Sequence, residues 1–153
     1  MSTIDSKDLG ISNIGLIQSY LDKYGWAYEL IDPATFVTGF SIEESTFTMF
    51  IGFVNDVLYF SIPSFASSPS EECALRAYQY LLEANLHLIC GKFALDENGK
   101  IGLFAEFPVS VVSYDFFSFI LYSIGNGAYE QLNYVSDASQ NPQFKSPYEQ
   151  LKS

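Results

Sequence analysis

The chain has 153 residues, 48% of them hydrophobic and 17% aromatic, with 18 acidic against 7 basic side chains and a net charge of −11. One domain is the default at this length, with a proper core buried on folding. The charge repels phosphate backbones and anionic lipid, so neither nucleic acid nor membrane is expected as a partner, whereas basic or amphipathic protein segments are.

Residues 1–11 read as a polar lead-in, and Met1-Ser2-Thr3-Ile4-Asp5 has neither the basic start nor the apolar run of a signal peptide. Ser12 can cap a first helix whose core positions are Ile14, Ile17, Tyr20, Leu21 and Tyr24, with Gly25 as its stop. Tyr28–Ile31 and Phe36–Ile42 read as extended segments joined by the turn Asp32-Pro33-Ala34. Phe47, Met49, Ile51 and Phe53 alternate with smaller residues, which buries one face of a strand, and Asn55-Asp56 turns the chain into Val57–Ile62.

Ser68-Pro69-Ser70-Glu71 has the form of a capping box with proline at the first helical position. The helix it opens carries three stripes at 100° per residue. Ala74, Leu75, Tyr78, Leu81 and Leu82 are expected in the core, and Glu72, Arg76, Gln79 and Glu83 in solvent. Cys73, Ala77, Tyr80 and Ala84 form a third stripe, of small residues plus one tyrosine, which either packs against a second copy across a twofold axis or widens the core contact. Asn85 is placed as the stop. Two apolar strands follow around an Asn98-Gly99 turn.

Pro108 blocks further strand pairing, and Ser113 or Ser110 can cap a last helix from about Tyr114. Its apolar pattern continues past Gly125 and Gly127, so one loosened helix is favoured over two. Phe117, Ile120, Leu121, Ile124 and Ala128 share one face; Phe119, Tyr122 and Tyr129 share the other, as a candidate partner-binding stripe. The composition from Ser136 onward is that of a mobile tail. The one stretch worth testing as a membrane span, Ile101–Tyr129, is broken by Pro108, and its densest run, Phe116–Ile124, falls short of the roughly 20 residues a membrane helix needs.

The reading is a lead-in over 1–11, one α+β domain over 12–135 and a tail over 136–153. The domain is a curved antiparallel sheet of about five strands with helices on one face, in the order α-β-β-β-α-β-β-α.

Chemistry is sparse. His87 is the lone histidine and reads as structural, without a motif for nucleophilic catalysis. Cys73 and Cys90 lack a close-spaced pair; buried reduced thiols in a cytoplasmic setting fit them, and no metal or cofactor is implied. Glu43-Glu44 falls in a loop, Glu71-Glu72 at a helix start, and Glu106 near a strand end. Gly125-Asn126-Gly127 lacks the lysine and the strand-to-helix setting of a phosphate loop.

Ala84-Asn85 closing the helix, Gly91-Lys92-Phe93, the run Leu95-Asp96-Glu97-Asn98-Gly99-Lys100-Ile101, and Glu106-Phe107-Pro108 together resemble the pattern of the YbjN family, whose members share the fold of type III secretion chaperones of the Tir-chaperone type. The likeness in order covers roughly residues 12 to 135; the aromatic last helix and its glycine interruption depart from it. The resemblance implies a small acidic homodimer in the cytoplasm, without enzymatic activity, that binds segments of a partner protein. The alternative is a small-molecule or lipid binder with an aromatic-lined pocket.

Overall fold

A computed structural model describes the backbone of residues 6–152, and the side chains of 13–149. The elements are α1 (Ser6–Tyr24), β1 (Tyr28–Asp32), β2 (Thr35–Ile42), β3 (Ser45–Val54), β4 (Val57–Ala66), α2 (Ala74–His87), β5 (Lys92–Leu95), β6 (Ile101–Pro108) and α3 (Tyr114–Gln140), with short 3-10 turns at Val109–Val111 and Pro147–Lys152. The strands form one sheet in the order β1-β2-β3-β4-β6-β5. The fold class is α+β as read. The sheet has six strands because both extended segments before β3 are strands in their own right, paired antiparallel from Tyr28↔Thr38 to Asp32↔Thr35.

The first helix begins at Ser6, so Ser12 lies inside it rather than capping it. The rest of the lead-in, residues 1–5, lies outside the described residues. Gly25 does end the helix: it takes φ +90° and its N–H bonds to the Leu21 carbonyl at 2.9 Å.

Among the described residues two compact units can be distinguished by their contacts, one running up to residue 61 with 105–122 and one from 62–104 with 123 onward. In the first, alternation along β2, β3 and β4 buries Phe36, Ile42, Phe47, Met49, Ile51, Leu58 and Phe60 on one face of the sheet. Ile17 and Leu21 of α1 and Phe117, Ile120 and Leu121 of α3 are buried with them. The Phe117 ring lies 5.5 Å from Tyr20 and 5.9 Å from Phe60. Ser113 caps α3, its Oγ accepting from the Phe116 N–H at 3.2 Å.

In the second unit, Ile62, Phe93, Ile101 and Leu103 are buried, as are Ile124, Ala128, Val135 and Ala138 of α3. The helix passes Gly125 and Gly127 without a break. The β5–β6 turn forms at the expected place. Asp96 Oδ1 accepts from the N–H groups of Asn98 and Lys100, and Gly99 supplies φ +75°.

Three expectations for this unit are corrected. The capping box is not made: α2 begins only at Ala74, Cys73 caps it without a side-chain bond, and Ser68 Oγ donates to the Asn98 carbonyl instead. Asn85 does not stop the helix, which runs on to His87. Residues 137–149 do not have the structure expected of a tail: α3 continues to Gln140, and the chain then turns back with Phe144 only 3% exposed.

Candidate functional site

On α2 the apolar faces are the reverse of the sequence reading except at Leu81, which is buried as expected. Cys73, Ala77, Tyr80 and Ala84, taken as a contact for a second copy, are all buried within the chain itself, together with Leu81. The small side chains of Cys73, Ala77 and Ala84 let the helix backbone sit close to its neighbours, and Leu75, Leu82 and Leu86 point away. Leu75 is 83% exposed, Leu82 73% and Leu86 80%; Tyr78 and, just past the helix end, Ile89 are exposed beside them. On a helix, Tyr78, Leu82, Leu75 and Leu86 fall within an arc of about 80°. Single exposed leucines need no explanation, but a contiguous row of this kind marks an interaction surface.

On α3 the division follows the sequence reading. Phe117, Ile120, Leu121, Ile124 and Ala128 are buried, whereas Phe119 and Tyr122 in the first unit and Tyr129 in the second are exposed, with Tyr134 as a further exposed ring. Phe119 lies 6.4 Å from the half-buried Phe116 ring in a stacked arrangement. Exposed aromatic rings bring large contact area at low entropic cost, which suits docking.

The reactive side chains are engaged in packing. His87 stacks on Tyr148 with ring centroids 4.4 Å apart. Cys73 and Cys90 are free and buried, and burial pushes the Cys90 thiol pKa up, away from the reactive thiolate. Tyr80 donates to Gln131 Oε1, and Gln131 Nε2 donates to the Tyr148 hydroxyl at 3.0 Å. Burial, reinforced by the neighbouring Tyr148, raises the Tyr80 pKa well above the ordinary phenol value. Among the described residues, no group of three His, Cys, Asp or Glu side chains is placed to hold a metal ion. No described helix is long and apolar enough to cross a membrane.

Each unit has a hollow of its own. A cavity of about 150 Å³ in the second is lined by Arg76, Gln79, Tyr80, Glu83, Phe144, Ser146 and Glu149. An open groove of about 680 Å³ in the first runs past Asn13, Leu16, Tyr20, Asp56 and Val109–Ser113. Neither is an aromatic-lined pocket: the first is small and largely polar-walled, and Tyr20 is the one aromatic residue lining the second.

The exposed leucine row is legible in the sequence as apolar surplus, but residue size places it on the wrong side of α2. The signal that could have placed it is the pair Ala77 and Ala84, one heptad apart and set opposite the leucines.

No family model matches the chain, and no curated protein sequence matches it. Solved structures do. A chain of the heterodimeric ExoU–SpcU complex from the type III secretion system of Pseudomonas aeruginosa is similar with a TM-score of 0.57 at 17% identity, over 80% of this chain and 97% of that one. YbjN from E. coli is similar with a TM-score of 0.55 at 16% identity, over 77% and 90%. An uncharacterized protein from Methanothermobacter thermautotrophicus gives 0.53 at 17% identity, over 80% and 94%. The chain therefore has a YbjN and type III secretion chaperone-like fold, in agreement with the resemblance read from its residues.

Proposed function

We propose that this protein is a non-enzymatic protein-binding module that works as a chaperone-like homodimer and docks a segment of a partner protein. The observation that carries the reading is the row Leu75, Tyr78, Leu82 and Leu86 on α2, which the chain leaves uncovered. A self-complementary row on one helix is the simplest seed of a twofold contact, because the same residues face one another in both copies. The dimer contact thus belongs to the leucine face of α2, in place of the buried Cys73, Ala77, Tyr80 and Ala84.

The exposed rings of α3, Phe119, Tyr122 and Tyr129, are the candidate surface for the partner segment. The net charge of −11 favours a basic or amphipathic segment and speeds its encounter at low salt. The fold gives the reading a setting, since one similar chain comes from a complex between two different proteins. A cytoplasmic location fits two unpaired thiols.

Cysteine scanning tests the contact. Leu75→Cys, Leu82→Cys and Leu86→Cys, each introduced alone, place a thiol on the exposed row. Mild oxidation should give a covalent dimer for at least one of them, with no dimer from Leu30→Cys on the β1 edge. Failure of all three to cross-link would overturn the assignment.

A further inference from the structure

Residues 142–149 lie along the flank of α2 as a strap, held by contacts of the kind that bind a peptide. Arg76 Nη1 donates to the main-chain carbonyls of Pro142, at 3.0 Å, and Phe144. This grip reads backbone, not side-chain identity. The two anchors are aromatic and four residues apart. Phe144 is buried edge-on against Tyr80 with centroids 5.2 Å apart, and Tyr148 lies over both Tyr80, at 5.7 Å, and His87, at 4.4 Å. Between the anchors, Ser146 Oγ donates to Glu83 Oε2 at 3.1 Å.

The strap does not fill its seat. The cavity of about 150 Å³ remains between it and α2, walled by Arg76, Gln79, Tyr80 and Glu83 on the helix side. Room of that size next to a backbone clamp and two aromatic slots is space for larger side chains than the strap supplies.

We propose that this flank of α2 is a peptide-binding groove, kept closed by the chain's own residues 142–149, and that it takes in their place a partner segment with two aromatic residues separated by three others, the second of them in a 3-10 turn as Tyr148 is. A basic residue between the aromatics, at the place of Lys145, suits it because Glu83 of α2 borders the groove. The strap is then a built-in competitor: partner affinity is lowered by the fraction of time the groove is closed. This rests on the chain being a protein-binding module and adds a third surface, distinct from the leucine row of α2 and from the exposed rings of α3.

The test uses the full chain and a fluorescent nine-residue peptide copying Asn141–Glu149. The double variant Phe144→Ser/Tyr148→Ser frees the groove and should bind the peptide at least tenfold more tightly than the wild type. Adding Arg76→Ala to it should remove most of that gain, and a peptide with serine at both aromatic positions should not bind. Should the double variant fold poorly, excess peptide added to the wild-type protein should shift the Tyr148 and His87 ring resonances by displacing the strap. Equal affinity for wild type and variant, absence of peptide binding by the variant, or unmoved ring resonances would overturn the proposal. Leu82→Glu, which addresses the contact between copies, should leave peptide binding unchanged, so the two surfaces fail separately.

Discussion

The side-chain amide of Asn85 holds Phe93 at both polar ends of its backbone. Asn85 Oδ1 accepts from the Phe93 N–H at 2.6 Å, and Nδ2 donates to the Phe93 carbonyl at 3.1 Å. An asparagine near the end of α2 thus stands in for a neighbouring strand along the outer edge of β5, the last strand of the sheet. Asn85→Ala should lower stability by about 2–3 kcal/mol, since two bonds are lost and a half-buried N–H is orphaned. Asn85→Asp keeps the acceptor and should cost less. Urea unfolding of the two variants beside the wild type measures both.

The faces of α2 give opposite outcomes to substitutions of similar character. Ala77 is 1% exposed, so Ala77→Arg buries a charge without a partner and should cost about 3–5 kcal/mol or prevent folding. Leu82→Glu lies in solvent and should change the stability of the isolated chain by no more than about 0.5 kcal/mol. Thermal unfolding at low protein concentration separates the two.

The sequence exposed α3 more fully than α2 for a physical reason. On α3 the exposed rings share their face with Asp115 and Asn126, so polar neighbours mark which side meets water. On α2 two apolar stripes compete and size misleads: the leucines outweigh Ala77 and Ala84 in hydrophobicity, yet the small residues are the ones that let the helix pack closely. The hairpin was legible because its turn chemistry is local, whereas Ser68 and Asn85 carry long-range bonds that no local motif announces. The strap was hidden by its polar composition. Phe144 and Tyr148, isolated among Pro, Ser and Lys, were the only hint that it folds back.

Within α3, Gly125 and Gly127 should respond differently to alanine. A methyl at Gly125 meets nothing within 4 Å, so Gly125→Ala should gain up to about 1 kcal/mol in helix propensity. At Gly127 the added Cβ would lie 3.1 Å from Leu88 Cδ2, and that crowding should cancel the gain. Matched denaturation curves of the two single variants check this.

Stability should fall in alkali. The Tyr80 phenol is raised above its ordinary value of 10.0 by burial, and the Cys90 thiol above 9.0 by burial. Above about pH 9 the unfolded chain releases these protons while the folded chain retains them, so unfolding becomes easier as pH rises; below that pH neither group contributes a slope. Tyr80→Phe should cost about 1–3 kcal/mol near neutral pH, because Gln131 Oε1 loses its buried donor, yet lose less between about pH 9 and about pH 11 than the wild type does. Tyr24, raised first by burial, and Tyr28, raised by donating to Asp22, should leave a residual slope. Urea midpoints taken across that pH range resolve the difference.

If two copies meet at the leucine row of α2, as proposed, the mass of the protein in solution reports it. Light scattering on the wild type at micromolar concentration should return twice the 17.1 kDa of the chain, and Leu82→Glu should return the single-chain mass with its circular dichroism unchanged. A wild-type mass of 17.1 kDa across that range, or a Leu82→Glu variant that keeps the doubled mass, would contradict the account.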